Sequence, residues 1–524
     1  MKFFRFMAPL LVAASVVNAA HADVVLNRGN RVEPATLDPA KTRTQYERAI
    51  AGDLFEGLVT YSADGRLVPG IAAAWQIEPG GLRYQFRLQP GITWSDGTPI
   101  TADDVMFSFR RLLDPKVASP VAQLLYVIKN ARAVNTGTLP PSSLGVSAYE
   151  TDTVIIDLEA PAPYFLQVVA NAFAGIVPRR VVEKAGDAWT KPENMVTSGA
   201  FTLKSWQPND KIELAKNSKF HDARNVKLDG VNYIPSSDLS AAVSRFRAGE
   251  LDMQIEFPTG QIDALRETLS KEVRLTPAPL TYYLAVNTSN EKLTDPRVRR
   301  ALSLAIDRDV LAEKVLRTGE RAATSFVPPS IANYTPPRMD FIAKSDADRL
   351  DEARKLLAEA GYSDGKVLRI RYSHSNNQEF RRLAVVIAGM WKRIGVEVQL
   401  HATESASYFS DLRQGDFEVG FVAWLADFND AVNFLGILQS TSAATNYSRY
   451  RDNDYDAWLI RAAKEPDATA RENLLKQAEQ RMLIDQPVIP LYFGSTKNLV
   501  AQSVSGWQPN PLDIHLSRYL SVAR

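Results

Sequence analysis

The 524-residue chain contains no cysteine. That absence excludes a disulfide framework, a thiolate metal centre, a cysteine nucleophile and an iron–sulfur cluster. It also excludes lipid attachment through an N-terminal cysteine, so an exported form is expected to be released rather than anchored. An excess of charge of either sign is missing too. The 61 basic and 60 acidic residues nearly cancel, which leaves no electrostatic case for nucleic acid or an anionic membrane as partner. Past the N-terminal segment there is no uninterrupted apolar run of about 20 residues, the length a membrane span needs. Histidine is sparse: beyond His21 there are His221, His374, His401 and His515, none at metal-ligand spacing from another. The chain has no GxSxG elbow, HExxH, GxxxxGK(S/T) or GxGxxG. Residues 361–366 fall one short of a phosphate loop. Ser363 and Lys366 have Ser-x-x-Lys spacing in a turn rather than on the helix a serine hydrolase requires. No catalytic residue, metal or cofactor is expected.

What is present begins with an export signature. Lys2 and Arg5 precede an apolar run from residue 7 to 17, and Ala20-His21-Ala22 offers a small-x-small cleavage site. Removing residues 1–22 leaves 502 residues with 59 basic and 60 acidic side chains. A chain of that length exceeds the about 250–300 residues at which single cores stop growing, so more than one domain is expected.

Period-2 alternation over 83–88 (Tyr84, Phe86, Leu88) predicts a half-buried strand. Thr101 with Asp104 three residues on predicts a capped helix whose apolar face carries Val105, Phe109 and Leu112. Further helices are predicted from Asp295-Pro296, from Asp307 through Val315, and over 347–360. Strand 367–372, helix 379–394 and strand 396–400 read as a βαβ unit, followed by a short helix near 408–412 and a strand over 417–424. Strand-rich and helix-rich stretches interleave, the pattern of mixed α/β lobes. Ligands of open α/β sheets lie outside the carboxyl ends of strands, which directs attention to Asp427 just after Trp424. On these residues alone Asp427 is either a helix cap or a ligand anchor, and the Tyr282-Tyr283 pair is either core or cleft.

Several segments are informative when read together: Glu33-Pro34-Ala35-Thr36-Leu37-Asp38-Pro39, Asp53-Leu54-Phe55-Glu56-Gly57-Leu58, Trp94-Ser95-Asp96-Gly97-Thr98-Pro99 with Thr101-Ala102-Asp103-Asp104, and Gly249-Glu250-Leu251-Asp252. Asp295-Pro296-Arg297-Val298-Arg299-Arg300-Ala301, Ala305-Ile306-Asp307-Arg308, Trp424-Leu425-Ala426-Asp427-Phe428-Asn429 and Pro487-Val488-Ile489-Pro490-Leu491-Tyr492 follow in order. Over essentially the whole mature chain this series resembles the peptide-binding family of ABC-importer solute-binding proteins, notably the periplasmic oligopeptide binders.

The resemblance implies an α/β fold of the type II periplasmic-binding-protein kind, with two hinged lobes plus an extra lobe. Lobe I would combine 23–59, 180–279 and 495–524; the extra lobe would be 60–179, and lobe III 280–494. It implies that Asp427 pairs with the α-ammonium of a ligand whose backbone is held as an added strand. Trp424, Tyr282, Tyr283 and Phe107 match cleft positions, and Glu33 lies in the matching N-terminal segment. Two departures stand out. Leu280 and Leu425 occupy positions that carry a disulfide in enteric relatives. Leu316, Phe380 and Phe421 stand where those relatives place basic residues for the ligand's carboxylate, with Arg317 adjacent as a substitute.

The expected role is therefore that of a monomeric periplasmic protein that takes up oligopeptides and delivers them to an inner-membrane ABC permease with its ATPase subunits. The alternatives are a binder of murein peptide, opine-like or haem ligands or, from another class, a hydrolase or chaperone.

Overall fold

The structure, a computed structural model, describes residues 23–363 and 365–524. The export signature at 1–22 lies outside the described residues, as does Asp364 of the turn before Lys366. Two long antiparallel strands, Val273–Val286 and Val488–Val500, form the spine of an 11-stranded sheet. On one side the spine carries Val419–Leu425, then Arg369–Ser375, then Glu397–Thr403. On the other side come Met253–Ile255, Val25–Asn30, Gly230–Pro235, Lys211–Lys216 and Phe201–Gln207, and the eleventh strand, Arg321–Ala322, pairs with Val488–Val500 off this path.

The spine's register slips twice, between Pro277 and Thr281 and again between Tyr282 and Tyr283. Bulges bend a strand and increase its twist, and Pro277 and Pro279 withhold backbone donors from the ladder. The sheet thus passes from one lobe to the other across a locally weakened section. This is the two-lobe type II periplasmic-binding fold, with mixed α/β lobes as expected.

Three main apolar cores form on this frame. One gathers Tyr283, Val286, Leu302, Tyr372, Trp391, Phe421 and Leu491, and another gathers Leu26, Phe55, Phe201, Leu214, Val231 and Val500. A third surrounds a separate four-stranded antiparallel sheet in the order Ala72–Ile77, Arg83–Leu88, Thr153–Asp157, Val146–Tyr149. The alternation over Arg83–Leu88 buries Tyr84, Phe86 and Leu88 on one face. Beside that sheet lies helix Ala102–Leu112, where the Asp104 carboxylate accepts from the Thr101 backbone N–H at 3.1 Å.

The βαβ unit is present. Strand Arg369–Ser375 pairs in parallel with Glu397–Thr403, and helix Gln378–Lys392 between them buries Leu383, Ile387, Met390 and Trp391. Helix Ser405–Gln414 then leads into Val419–Leu425, which is also parallel to Arg369–Ser375. One expected α-helix differs. Residues Val310–Leu316 form a π-helix, entered where the Val310 N–H meets the Asp307 carboxylate at 3.0 Å and closed by Arg317 in the left-handed region at φ 66°.

The short segments quoted above join distant stretches of chain. Asp38 takes a two-pronged bond from Arg111 of helix Ala102–Leu112, tying the N-terminal segment to the core around the four-stranded sheet. Buried Asp53 accepts from the Tyr233 hydroxyl at 2.7 Å and from the Ser517 backbone at 2.8 Å. Glu56 engages Arg518 and, at 2.8 Å, His221. Arg308 donates to the carbonyls of Pro490 and Ser303 inside the third lobe. Each is a buried charge fully engaged by partners, the condition under which burial is tolerable. Among the described residues no helix is long and apolar enough to cross a membrane.

Candidate ligand-binding cleft

Strand ends converge between the lobes. Gly29 and Asn30 at the end of Val25–Asn30, Ile255 at the end of Met253–Ile255, and Leu425 at the end of Val419–Leu425 all line one cavity. Carboxyl ends of parallel strands leave backbone groups and loops facing such a crevice, which is why ligands collect there. Two adjoining chambers share Gln45, Leu425, Leu512 and Asp513. The larger, about 750 Å³, is lined by Tyr282, Phe380, Glu256, Arg382 and Lys497; the smaller, about 120 Å³, by Arg48, Gly52, Ala172 and Asp427.

Asp427 sits on a firmly held loop. Phe428 stacks on Tyr164 with ring centroids 4.2 Å apart. The Asn429 side-chain oxygen accepts from the Ala332 N–H at 2.8 Å, and Asp430 makes two 2.9 Å bonds with Arg471. Asn433 joins the loop to the preceding strand, taking the Trp424 indole N–H at 2.9 Å and the Asp427 backbone N–H at 3.3 Å. The capping duty left open for Asp427 falls to Asp430, whose carboxylate accepts from the Val432 N–H at 2.9 Å. The Asp427 side chain is free of the backbone and faces the cleft.

What it faces is Arg48, on helix Gln45–Leu54 of the opposite lobe. Nη1 lies 3.7 Å from Oδ1, an ion pair too long for a hydrogen bond. The side chains are 20% and 29% exposed, and the guanidinium lies over the Phe173 ring. Desolvation pushes the Asp427 carboxyl up and the Arg48 guanidinium down, and each is partly offset by the other's charge.

Of the other expected site residues, Tyr282 and Phe380 line the larger chamber. Phe421 is buried behind them, against both rings. Trp424 is half-buried and committed to Asn433, and neither it nor Phe421 lines either chamber. Three further assignments need correction. Tyr283 points into the third-lobe core edge-on to Phe326, because successive strand residues face opposite sides of the sheet. Glu33 accepts from the Trp206 indole at 2.8 Å and the Asn209 N–H at 3.1 Å, so its carboxylate is spent on a hairpin turn. Phe107 packs from helix Ala102–Leu112 against the core around Phe55 and Phe201. None of these three lines either chamber.

The expected stand-in for a carboxylate reader is likewise absent from the lining: Arg317 bonds Asp263 at 2.7 Å. Leu280 and Leu425 are direct cross-strand partners, and Leu425 is 44% exposed at the seam of the two chambers. The residues that sequence reasoning missed are Arg48, Asn433 and Gln45. Arg48 sits mid-helix with no local motif, and only the fold brings it to Asp427. Among the described residues no group of three or more His, Asp or Glu side chains could hold a metal ion.

A model of the bacterial extracellular solute-binding proteins, family 5 (middle), matches residues 66–446. The chain belongs to this family. It is 37% identical to the probable deoxycholate-binding periplasmic protein YgiS of Escherichia coli, over 98% of this chain and 97% of that protein. It is 35% identical to the periplasmic oligopeptide-binding protein OppA of Salmonella typhimurium, over 96% and 95% of the two chains. Among solved structures, the Escherichia coli murein tripeptide binding protein MppA superposes with a TM-score of 0.84 at 35% identity, covering 96% of this chain and 99% of that one. What this cleft offers a ligand is enclosure, desolvation and charge.

Proposed function

We propose that this family 5 protein captures oligopeptides in the periplasm and delivers them to an inner-membrane ABC importer without chemically altering them. The observation that carries the reading is Asp427. A desolvated carboxylate on a braced loop, at the end of a strand and facing the interlobe cleft, suits an ammonium that must leave water to bind. The ligand backbone then pairs as an added strand, so recognition uses groups that every peptide has. The larger chamber would hold the remainder, with Tyr282 and Phe380 against apolar side chains. Relatives support a peptide: the names of OppA and MppA specify oligopeptides and a murein tripeptide, and a Haemophilus influenzae OppA structure with a TM-score of 0.82 is a complex with RPPGFSPFR.

One observation favours a second reading. Arg48 beside Asp427, together with exposed Leu425, suits an amphiphile with a carboxylate and no amine, in line with the deoxycholate in the name of YgiS. Native mass spectrometry of protein purified from its own periplasm, followed by sequencing of whatever is released, separates the two. A heterogeneous set of free-amine peptides supports the first reading; a single non-peptide species overturns it.

A further inference from the structure

We propose that Arg48 is a specificity-determining residue that selects ligands carrying an acidic group next to the amine met by Asp427. The inference rests on the peptide reading and narrows it to peptides with an acidic first residue.

Two of the charged side chains lining the smaller chamber are already engaged. Arg28 is held by the Tyr233 hydroxyl, the His515 carbonyl and the Ser517 hydroxyl, and it lies 3.9 Å from Asp53. Asp513 is held by Asn498 at 2.8 Å and His515 at 2.9 Å. Arg48 and Asp427 are different. They approach each other only to 3.7 Å, and the Arg48 Nε is buried without any hydrogen-bond partner. A guanidinium has five N–H donors in a rigid fork, and a buried one left open asks for an acceptor.

An ammonium brought to Asp427 arrives beside this cation in a water-poor cleft, where like charges repel more strongly than in bulk water. A ligand with only an amine at this end therefore leaves an excess positive charge. A ligand with an ammonium and a nearby carboxylate restores balance: the ammonium meets Asp427, and the carboxylate takes the Arg48 fork, the planar pairing that arginine favours.

Space for that carboxylate exists. The chamber that Arg48 and Asp427 line also has Gly29, Gly52, Ala170 and Ala172 in its wall and holds about 120 Å³, room for one short side chain. Gly52, one helical turn from Arg48, is itself closed against Leu516, where a Cβ would come within 2.9 Å.

The competing account is that Arg48 is a latch that closes the lobes on Asp427 and must be displaced by any amine. The two differ in sign. Pentapeptides consisting of Glu, Gln, Ala or Lys followed by four alanines are titrated calorimetrically into the ligand-stripped protein and into Arg48→Met and Arg48→Lys. The expected result is that the wild type binds the Glu peptide about tenfold or more tightly than the isosteric Gln peptide. In R48M the Glu/Gln ratio falls to near one; in R48K, which keeps the charge but loses the fork, it lies between. Equal wild-type affinities for the Glu and Gln peptides, or tighter binding of all four by R48M, would overturn the proposal while leaving the peptide reading intact. Binding of none of the four by the wild type overturns both. If R48M does not fold by circular dichroism, the R48K ratio and the wild-type series still decide.

Discussion

Phe428 stacks on Tyr164 at 4.2 Å with their planes 11° apart, so a residue of the ligand-facing loop forms part of the extra lobe's core. The contact adds to what residues 60–179 already contribute to the Asp427 chamber, whose wall includes Tyr61, Ala170 and Ala172. It fixes the loop's far side, while Asn433 fixes the near side through Trp424. Phe428→Ala removes a buried ring and leaves a cavity, at a cost of about 3–5 kcal/mol. Urea unfolding should shift to lower concentration, and ligand affinity should fall as Asp427 loses its fixed position. Reduced stability with unchanged affinity would show that the loop is positioned without the stack.

Asp427→Asn tests the anchor directly. Removing one partner of a buried charge pair costs about 3–5 kcal/mol, two decades or more in affinity. The variant should fold normally, since the side chain caps nothing, and should lose free-amine peptides in calorimetric titration. N-acetylated peptides should bind the wild-type protein far more weakly than their free-amine forms. Equal affinity for acetylated and free peptides would remove the ammonium from the mechanism.

Leu280 and Leu425 stand opposite each other in an antiparallel ladder. Such partners have Cα atoms about 4.5–5.5 Å apart, inside the range a disulfide spans. The double variant Leu280→Cys with Leu425→Cys should therefore oxidise readily in a chain with no other cysteine. By closing a long loop it should stabilise the protein by about 2–4 kcal/mol. Free thiols persisting after oxidation, counted by thiol titration, would refute the pairing geometry.

Much of this arrangement was legible in the sequence, and the limits have physical reasons. The βαβ unit around Arg369–Ser375 was readable because strand and helix periods differ and Gly395 punctuates them. The Thr101–Asp104 cap was readable because capping is local. Asp427 was half-readable: its place after a strand pointed to the cleft, but only the structure gives the cap to Asp430. Glu33 and Phe107 were misplaced because a matching segment does not say which way a side chain turns, and both turn toward structural partners. Arg48 was invisible for the opposite reason. Its meaning depends on a residue 379 positions later, and no spacing rule spans that distance. Several of the segments that carried the family resemblance (Asp38, Asp53, Glu56 and Arg308 among their residues) turn out to hold distant parts of the chain together. They therefore report fold more than ligand.

Glu479 offers a pH test of the same scaffold. Its fully buried carboxyl accepts from the Phe326 and Val327 N–H groups at 2.8 and 2.9 Å and from the Tyr334 hydroxyl at 2.6 Å. Burial outweighs those three donors and pushes the carboxyl up to about 7 from an ordinary 4.5. Between those values the folded protein holds a proton that the unfolded chain has released, so stability falls as pH rises. The contribution is complete below about pH 4.5 and gone above about pH 7, a loss on the order of 3 kcal/mol. Glu479→Gln keeps an oxygen for the two backbone donors and turns its amide toward the Tyr334 oxygen. It carries no titrating proton, so this decline should vanish. Urea midpoints at pH 5 and pH 8 should draw apart in the wild type and stay closer in the variant. Comparing the two proteins cancels every other titrating group, so equal pH slopes would mean that Glu479 is ionised throughout and that its three donors outweigh its burial.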